Sequence, residues 1–247
     1  MVDETLHPKR VLDIASAENV RDLGGYSTED GGSTQWGRIV RSADMDRLTT
    51  SDQQKLIDYG IGTVIDLRMQ REVARMPNVF SDSSRVSFHN HDFWGDRFED
   101  YRSKDRAAPA EAKLADLYCE GLVASGFVMA DIMQTIAASD RDGVIYHCRS
   151  GKDRTGLVSA LLLSIAGVRT ETICADYALT SQLLTTADPN NQIKPGERGY
   201  YLQGCAAETM ERTLDFLATE FSGVPGYLGS LGVEDAQLAR IRQKLCD

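Results

Sequence analysis

The chain has 247 residues, of which 42% are hydrophobic, and this length and composition suit a single domain over 1–247 with a sizeable core. Its formal net charge of −10 makes nucleic acid an unfavourable partner. The five cysteines are odd in number and scattered, which does not suggest a disulfide framework, so we expect a reducing compartment and a cytoplasmic protein. The N-terminal residues lack the apolar core of a signal peptide, and no apolar run is long enough for a transmembrane segment, although secretion without a signal peptide stays open.

The first half of the chain contains predicted strands and a helix that suit an α/β domain. Thr49-Thr50-Ser51 followed by Asp52 is a helix N-terminal signature, and this helix is expected to end near Gly60. The apolar run that follows it predicts a buried parallel strand. The predicted strands of this half lie at 37–42, 63–67 and 86–91.

Two charged residues come where a ligand site is expected. Asp66 and Arg68 fall at the carboxyl end of the strand predicted at 63–67, which is the ligand-binding edge of an α/β sheet. A helix cap and a surface charge are the alternative interpretation of the same two residues. Their position favours a functional role.

His89 and His91 would share one face of the strand predicted at 86–91, a spacing that a metal site could use. Two histidines need further ligands, and no neighbouring cluster supplies them, so we predict no metal here. The chemistry predicted below needs no cofactor.

Two long polar stretches interrupt the predicted elements. Residues 92–109 carry four aromatic residues among charged ones and predict a lid over the site; the alternative is a solvated insertion whose aromatic rings pack on the core. Residues 185–204 form a second long loop, predicted to flank the substrate mouth. Helices are predicted around these stretches at 110–120, 127–139, 157–166, 170–184, 206–220 and 231–245.

The loop at 146–156, with the sequence YHCRSGKDRTG, lies between a short apolar strand and an almost wholly apolar helix. A helix N-terminus and the successive N–H groups of a glycine-containing loop favour anions. Arg154 offers a planar pair of donors that suits two phosphate oxygens. Cys148 lies six residues earlier among cations, so we expect its thiol to ionise more readily than a free cysteine. Nucleophile, amides and guanidinium together predict phosphoryl transfer with a covalent cysteine intermediate.

Two other interpretations of this loop are weaker. A nucleotide-binding P-loop needs glycine where Tyr146 stands and serine or threonine where Asp153 stands. A buried structural cysteine before a helix would not favour the three cations that lie within six residues of Cys148.

The motif His-Cys-x-x-Gly-Lys-Asp-Arg-Thr-Gly at 147–156 resembles the active-site loop of the cysteine-dependent protein tyrosine phosphatase superfamily, in particular its bacterial and fungal branch of tyrosine and lipid phosphatases. Other segments similar to this family cover most of the chain, at 19–25, 38–44, 64–68, 71–72, 227–228 and 231–233. The resemblance implies an α/β fold with a central, largely parallel sheet flanked by helices, and a phosphate loop between a core strand and a buried helix. It also implies that Arg21 lies beside the phosphate loop, with Arg68 as a second supporting residue.

The predicted mechanism begins with attack of Cys148 on phosphorus, and water then hydrolyses the phosphocysteine. Loop amides and the Arg154 side chain stabilise the phosphoryl oxygens, His147 orients the cysteine, and Thr155 donates to the sulfur. The predicted substrate-binding residues are Arg149, Ser150, Gly151, Lys152 and Thr155.

Several aspartates compete for the role of general acid. The Trp-Pro-Asp motif that carries this acid in many tyrosine phosphatases is replaced here by Trp94-Gly95-Asp96. The resemblance points to Asp153 inside the loop, with Asp66 as a helper and Asp92 or Asp96 as a third choice. An aspartate beside cations normally stays ionised, which opposes this role for Asp153 unless bound phosphate favours its protonation.

Arg149 and Lys152 exceed what one phosphomonoester needs, so phosphoinositides are predicted substrates beside phosphotyrosine, phosphoserine and phosphothreonine. The predicted partner is therefore a phosphorylated protein or a phosphoinositide. A catalytically silent phosphate-binding module is the alternative, but such modules usually lose the nucleophile or the arginine, and both are present. Sulfur transfer or arsenate reduction is a further alternative, but no second cysteine lies near Cys148 in the sequence.

Overall fold

The structure, a computed structural model, describes residues 4–95, 110–139, 143–184 and 200–247. The described residues form a five-stranded sheet of β1 (Arg21–Asp22), β2 (Ile39–Ser42), β3 (Ile61–Asp66), β4 (Ser87–Asn90) and β5 (Gly143–His147). The strands lie in the order β1-β2-β5-β3-β4. β1 runs antiparallel to β2, and the other three pairs are parallel. The predicted α/β class with a largely parallel central sheet is thus confirmed.

β5 lies at the centre of the sheet, where both faces are covered. All five of its residues are buried. Val144 and Tyr146 belong to one hydrophobic core and Ile145 to the other, as the two-residue period of a strand requires. Parallel neighbours need crossover connections, usually helical, and these cover both faces of the sheet. This arrangement explains why the central strand is continuously apolar.

Nine α-helices fall within the described residues: α1 (Thr50–Asp58), α2 (Gln70–Arg75), α3 (Ala110–Ala124), α4 (Gly126–Ala138), α5 (Asp153–Ala166), α6 (Thr170–Leu183), α7 (Ala207–Phe221), α8 (Val224–Ser230) and α9 (Asp235–Cys246). The predicted start of α1 is confirmed, since the Thr49 side chain accepts a hydrogen bond from the Asp52 amide at 3.1 Å. The short helices α2 and α8 are not predicted from the sequence. The helix predicted over 231–245 begins only at Asp235, after a turn in which Gly232 has φ +86°.

Two hydrophobic cores pack on opposite faces of the sheet. The smaller core joins Val40 and Val64 of the sheet to Leu56 of α1. The larger core surrounds α5, and nearly every residue of this helix is buried, which explains why it is apolar on all sides. Among the described residues no single helix is long and apolar enough to cross a membrane; α3 and α4 meet that criterion only as a pair, and the pair is bent by 77°.

The two predicted loop insertions fall largely outside the described residues, at 96–109 and 185–199. At the described start of the first insertion, Phe93 and Trp94 are buried in the larger core, which agrees with the alternative interpretation for these two rings. The described end of the second insertion contains a 3-10 turn at Tyr200–Gln203. Trp94 and Leu202 both line the cleft described below.

Candidate active site

The loop at 148–152 joins β5 to α5, and its turn depends on one glycine. Gly151 has φ +65°, and a Cβ at this position would lie 2.5 Å from the Ser42 carbonyl oxygen. Glycine therefore allows the loop to lie against the end of β2. The helix predicted from 157 already begins at Asp153, so Arg154 and Thr155 lie in its first turn, where backbone N–H groups are free to bind an anion.

Donors from the surrounding framework hold the loop carbonyls outward. The Asp44 amide donates to the Arg149 carbonyl at 3.0 Å. Asn19 Nδ2 donates to the carbonyls of Ser150 and Gly151 at 3.1 and 3.0 Å. Arg41 Nη2 also donates to the Gly151 carbonyl, at 2.8 Å. In a trans peptide, the N–H that follows a carbonyl points the opposite way. The amides at 150–152 therefore point to the concave side of the loop and form an anion nest.

A buried carboxylate, Asp176 of α6, holds the framework arginines behind the nest. Asp176 accepts hydrogen bonds from Arg21 Nε at 3.0 Å, from Arg41 Nη1 at 2.6 Å and from the Tyr26 hydroxyl at 2.9 Å. Burial opposes ionisation of Asp176, but the two arginines outweigh burial and hold its pKa well below the usual range. Arg21 also donates to the Asn19 side chain, so it lies one residue away from the loop.

Three of these framework residues, Asn19, Arg41 and Asp176, have no predicted role in the site. Arg41 interrupts the buried strand β2, and Asp176 is a buried charge in α6. A charged residue within a buried apolar segment is the sequence signal that could have identified both residues, because a buried charge requires a partner.

Cys148 and Arg154 lie at the base of the nest. Cys148 is 1% exposed and Arg154 is 7% exposed, so a reacting group must enter the nest to reach them. Burial opposes the charge of Arg154, but Cys148 and Glu72 outweigh burial and raise its pKa above the usual value. The buried hydroxyl of Thr155 has no hydrogen-bond partner among the described residues, so the predicted donation to the sulfur is not formed.

The Arg154 guanidinium is held in place by Glu72 of α2. Arg154 Nη1 and Nη2 donate to the two carboxylate oxygens at 2.6 and 3.2 Å. Two parallel hydrogen bonds of this kind fix the plane of a guanidinium. Burial opposes ionisation of Glu72, but Arg154 lowers its pKa below the usual value. The sequence predicts no role for Glu72 beyond its place in the family-like segment 71–72.

We expect Glu72→Gln to lower kcat/KM about tenfold or more, because the amide cannot replace a charged partner that holds the plane of Arg154. Inhibition by inorganic phosphate should weaken in parallel. Glu171→Gln, which changes an exposed carboxylate in the first turn of α6, is the control and should alter neither value. Tighter phosphate binding in Glu72→Gln would mean that Glu72 competes with phosphate, and would contradict a positioning role.

Lys152 and Asp153 form an ion pair at the edge of the nest. Lys152 Nζ donates to Asp153 Oδ1 at 2.7 Å and to the Gly204 carbonyl at 2.9 Å. Burial opposes the charge of Lys152, but Asp153 raises its pKa above the usual value. The Tyr118 hydroxyl of α3 donates to the same Asp153 oxygen at 2.5 Å. Because the Lys152 ammonium already has these partners, its geometry does not favour the predicted binding of extra substrate charge.

His147 and Asp66 belong to a second buried cluster. His147 Nδ1 lies 3.0 Å from the Cys148 carbonyl oxygen, and its Nε2 lies 2.7 Å from Asn78 Nδ2 and 3.4 Å from Asp66 Oδ2. Arg68 binds the Asp66 carboxylate through Nε at 3.0 Å and Nη2 at 2.7 Å. Burial opposes ionisation of Asp66, but His147 and Arg68 lower its pKa well below the usual value. The cluster fixes the His147 ring directly before the cysteine.

The nest opens into a cleft of about 640 Å³. Its lining combines cationic, acidic and apolar side chains: Arg71, Arg75, Arg149, Arg154, Glu72, Asp153, Ser150, Met69, Met76, Trp94, Leu117 and Leu202. Arg149 is exposed, so it presents positive charge at the rim of the nest. Apolar walls around a cationic floor suit an aryl group that carries a phosphate.

The two histidines considered as metal ligands line a separate cavity of about 570 Å³. The His89 and His91 rings lie parallel, with centroids 6.2 Å apart, and His91 Nε2 lies 3.0 Å from the Thr135 hydroxyl. Burial lowers the pKa of His91. Across the part of the chain that the structure describes, no group of three or more His, Cys, Asp or Glu residues could hold a metal ion.

A cysteine and an arginine at the base of an anion nest, on a largely parallel α/β sheet, point to the class of cysteine-dependent phosphatases. The model of the tyrosine phosphatase family matches residues 12–247, and the chain belongs to this family. This membership confirms the resemblance found in the loop and supports phosphatase activity.

Two similar proteins and one solved structure give the extent of the likeness. A tyrosine-protein phosphatase of Nostoc commune is 28% identical over 222 residues, which cover 84% of this chain and 74% of that protein. The triple specificity protein phosphatase PtpB of Mycobacterium tuberculosis is 28% identical over 262 residues, covering 95% of this chain and 88% of that protein. The crystal structure of TpbA from P. aeruginosa covers 89% of this chain and 98% of its own, with 13% identity and a TM-score of 0.37.

Proposed function

We propose that the chain hydrolyses phosphomonoesters through a phosphocysteine on Cys148, with phosphotyrosine as the first substrate class. One observation carries this proposal: Cys148 and Arg154 share the base of the amide nest, and Cys148 contributes to the raised pKa of Arg154. The electrostatic interaction of Arg154 with Cys148 shows that the guanidinium lies close to the sulfur. A phosphate that enters the nest meets the nucleophile and its charge partner together.

In the first step, the Cys148 thiolate attacks phosphorus, the S–P bond forms, and the P–O bond to the leaving group breaks. Nest amides and Arg154 stabilise the charge on the three non-bridging oxygens, while Asp153 protonates the leaving oxygen. Water then attacks the phosphocysteine, Asp153 accepts its proton, and the S–P bond breaks. The Thr155 hydroxyl has no hydrogen-bond partner among the described residues, so it is available to donate to the sulfur as the S–P bond breaks.

Asp153 fits the role of general acid better than the other aspartates do. Asp153 lines the cleft, whereas Asp66 is fully buried and its pKa, lowered by His147 despite burial, keeps it ionised. Asp92 accepts a hydrogen bond from the first amide of α2 at 3.0 Å, which assigns it to a helix cap. Asp96 lies outside the described residues.

Asp153→Asn is expected to lower kcat on phenyl phosphate about 10²-fold or more and to remove the decline of kcat at high pH, because the amide has no acidic proton. On an aryl phosphate with a weakly basic leaving group, Asp153→Asn should lose much less activity. Asp66→Asn should retain the decline at high pH. Unchanged pH profiles in both variants would exclude both residues as the general acid.

The cleft supports a ranking of substrate classes. Its apolar walls favour the aryl ring of phosphotyrosine over the short side chains of phosphoserine and phosphothreonine. Arg75 and Arg149 add positive charge around the nest, and this charge supports phosphoinositides as a further proposed class. Lys152, which is paired with Asp153, contributes less to either class.

Trapping the intermediate is the direct test. Acid quench of the wild type during turnover of phosphotyrosine, followed by digestion and mass spectrometry, should find phosphate on the peptide that carries Cys148. Parallel assays with a phosphoserine peptide and with phosphoinositide vesicles would rank the substrate classes. Phosphate binding without turnover would favour the catalytically silent binding module. Thiosulfate or arsenate activity without inhibition by vanadate would favour the remaining alternatives.

A further inference from the structure

We propose that Tyr118 and Tyr177 are positioning residues that hold the carboxylate of Asp153 and set the pH range in which it acts as general acid. This inference rests on the function proposed above. The two tyrosines lie on α3 and α6, outside the loop, and neither belongs to the family-like segments of the sequence. They form a chain of hydrogen bonds that ends on Asp153.

The chain of hydrogen bonds has one direction. The Tyr118 hydroxyl donates to Asp153 Oδ1 at 2.5 Å, and the hydroxyl oxygens of Tyr118 and Tyr177 are 2.7 Å apart. A phenol has a single proton to donate. Since the proton of Tyr118 is used on the carboxylate, Tyr177 must donate to Tyr118.

Packing holds this series of hydrogen bonds against the first turn of α5. The two rings meet edge to face, with centroids 6.2 Å apart and planes at 87°. A Cβ at Gly156 would lie 2.9 Å from the Tyr177 ring, so glycine at this position lets the ring approach the helix. Both rings are buried, which leaves their hydroxyls little freedom to choose other partners.

Both phenols are fixed donors and not carriers of the proton. Burial raises the pKa of Tyr118 well above its usual value and that of Tyr177 to about 12. Neither phenol is ionised near neutral pH, so neither can take a proton from Asp153. A donor to the ionised form of a carboxylate stabilises that form and lowers the pH at which it appears.

Other charged groups also face Asp153. Lys152 donates to the same oxygen, Arg154 follows in the helix, and Arg149 lines the same cleft. Cys205, whose pKa is raised by burial, interacts with both Lys152 and Asp153. These groups are unchanged when a tyrosine hydroxyl is removed, so a shift of the pH profile in that variant is caused by loss of the hydroxyl.

The test is the pH profile of kcat for Tyr118→Phe, Tyr177→Phe and the double variant, measured on phenyl phosphate. In Tyr118→Phe, the decline at high pH should move upward by about one pH unit, because a donor to a charged group is lost. In Tyr177→Phe, the shift should have the same direction and be smaller. The double variant should match Tyr118→Phe, because the two hydroxyls act in series. Additive shifts, or an unshifted decline in Tyr118→Phe, would overturn the inference.

Tyr227→Phe is the matched control. Tyr227 is buried in the same core, and its hydroxyl donates to the Leu122 carbonyl of α3 at 2.8 Å. This variant loses one buried phenol hydrogen bond without altering Asp153, so the decline of its kcat at high pH should not move. Thermal unfolding checks that each variant is folded at the assay temperature. If the wild type forms no phosphocysteine, the proposed function fails; if the phosphocysteine forms and Tyr118→Phe is unshifted, only this inference fails.

Discussion

Replacing Cys148 with serine is expected to lower turnover of aryl phosphates by about a thousandfold or more, with little change in phosphotyrosine binding. Serine is nearly the same size as cysteine, but its hydroxyl is not ionised near neutral pH, so the nucleophile is lost. The nest amides and Arg154 are unaltered and continue to bind the phosphate. Steady-state rates and titration calorimetry with phosphotyrosine would measure the two effects separately.

Cys119→Ser provides the control for this substitution. Cys119 lies on α3, and burial raises its pKa to about 12, so it remains a neutral thiol and its replacement should not change the rate. Iodoacetate at mildly acidic pH should label Cys148 before Cys119, and inorganic phosphate should protect it. Turnover by Cys148→Ser close to the wild-type rate would show that this sulfur is not the nucleophile.

The largest effect on stability is expected from Asp176→Asn. Asparagine preserves the shape of the side chain but leaves Arg21 and Arg41 buried without a carboxylate. Burial and repulsion from Arg41 already lower the pKa of Arg21, so these two charges depend on Asp176. Removing one partner of a buried ion pair costs about 3–5 kcal/mol in free energy of unfolding. Because Arg41 also holds the Gly151 carbonyl, kcat/KM should fall too.

The same substitution has a defined pH dependence. The folded protein holds the pKa of Asp176 below its unfolded value, so the carboxylate stabilises the fold fully above that unfolded value and this contribution is lost as the pH falls. Denaturant titrations of wild type and Asp176→Asn should therefore differ by a constant amount above about pH 5, and the difference should shrink progressively as the pH falls below about 4. Asp30→Asn, which removes an exposed ion pair with Arg242, should have little effect at any pH. A difference that persists unchanged to low pH would argue against an ionised Asp176.

The fold class could be predicted because burial leaves a local pattern in the sequence. Continuous apolar runs predict β3 as a buried parallel strand and β5 as a strand, and the parallel pairing of β3 with β5 confirms both. The first turn of α5 escapes the same reasoning. Asp153 and Arg154 are polar, so no apolar period marks the start of this helix. In the structure, Asp153 pairs with Lys152 and Arg154 pairs with Glu72.

Residues that support the site come from distant parts of the chain. Glu72 is 82 positions from Arg154, Arg21 is 155 positions from Asp176, and Tyr118 is 35 positions from Asp153. Each pair is joined by hydrogen bonds whose geometry depends on how helices pack on the sheet. No spacing rule in a single sequence relates residues at such separations.

The sequence by itself determined the chemistry of the loop, because Cys148, Gly151 and Arg154 lie within seven consecutive residues and a short loop brings them together. It also determined the α/β class, since hydrophobic periodicity is a local property. Only the tertiary structure decided which side chains hold Arg154, Asp153 and the loop carbonyls, and it paired Lys152 with Asp153. The physical reason is that a buried charge takes the partner that packing brings within hydrogen-bond distance, and packing is a property of the whole fold.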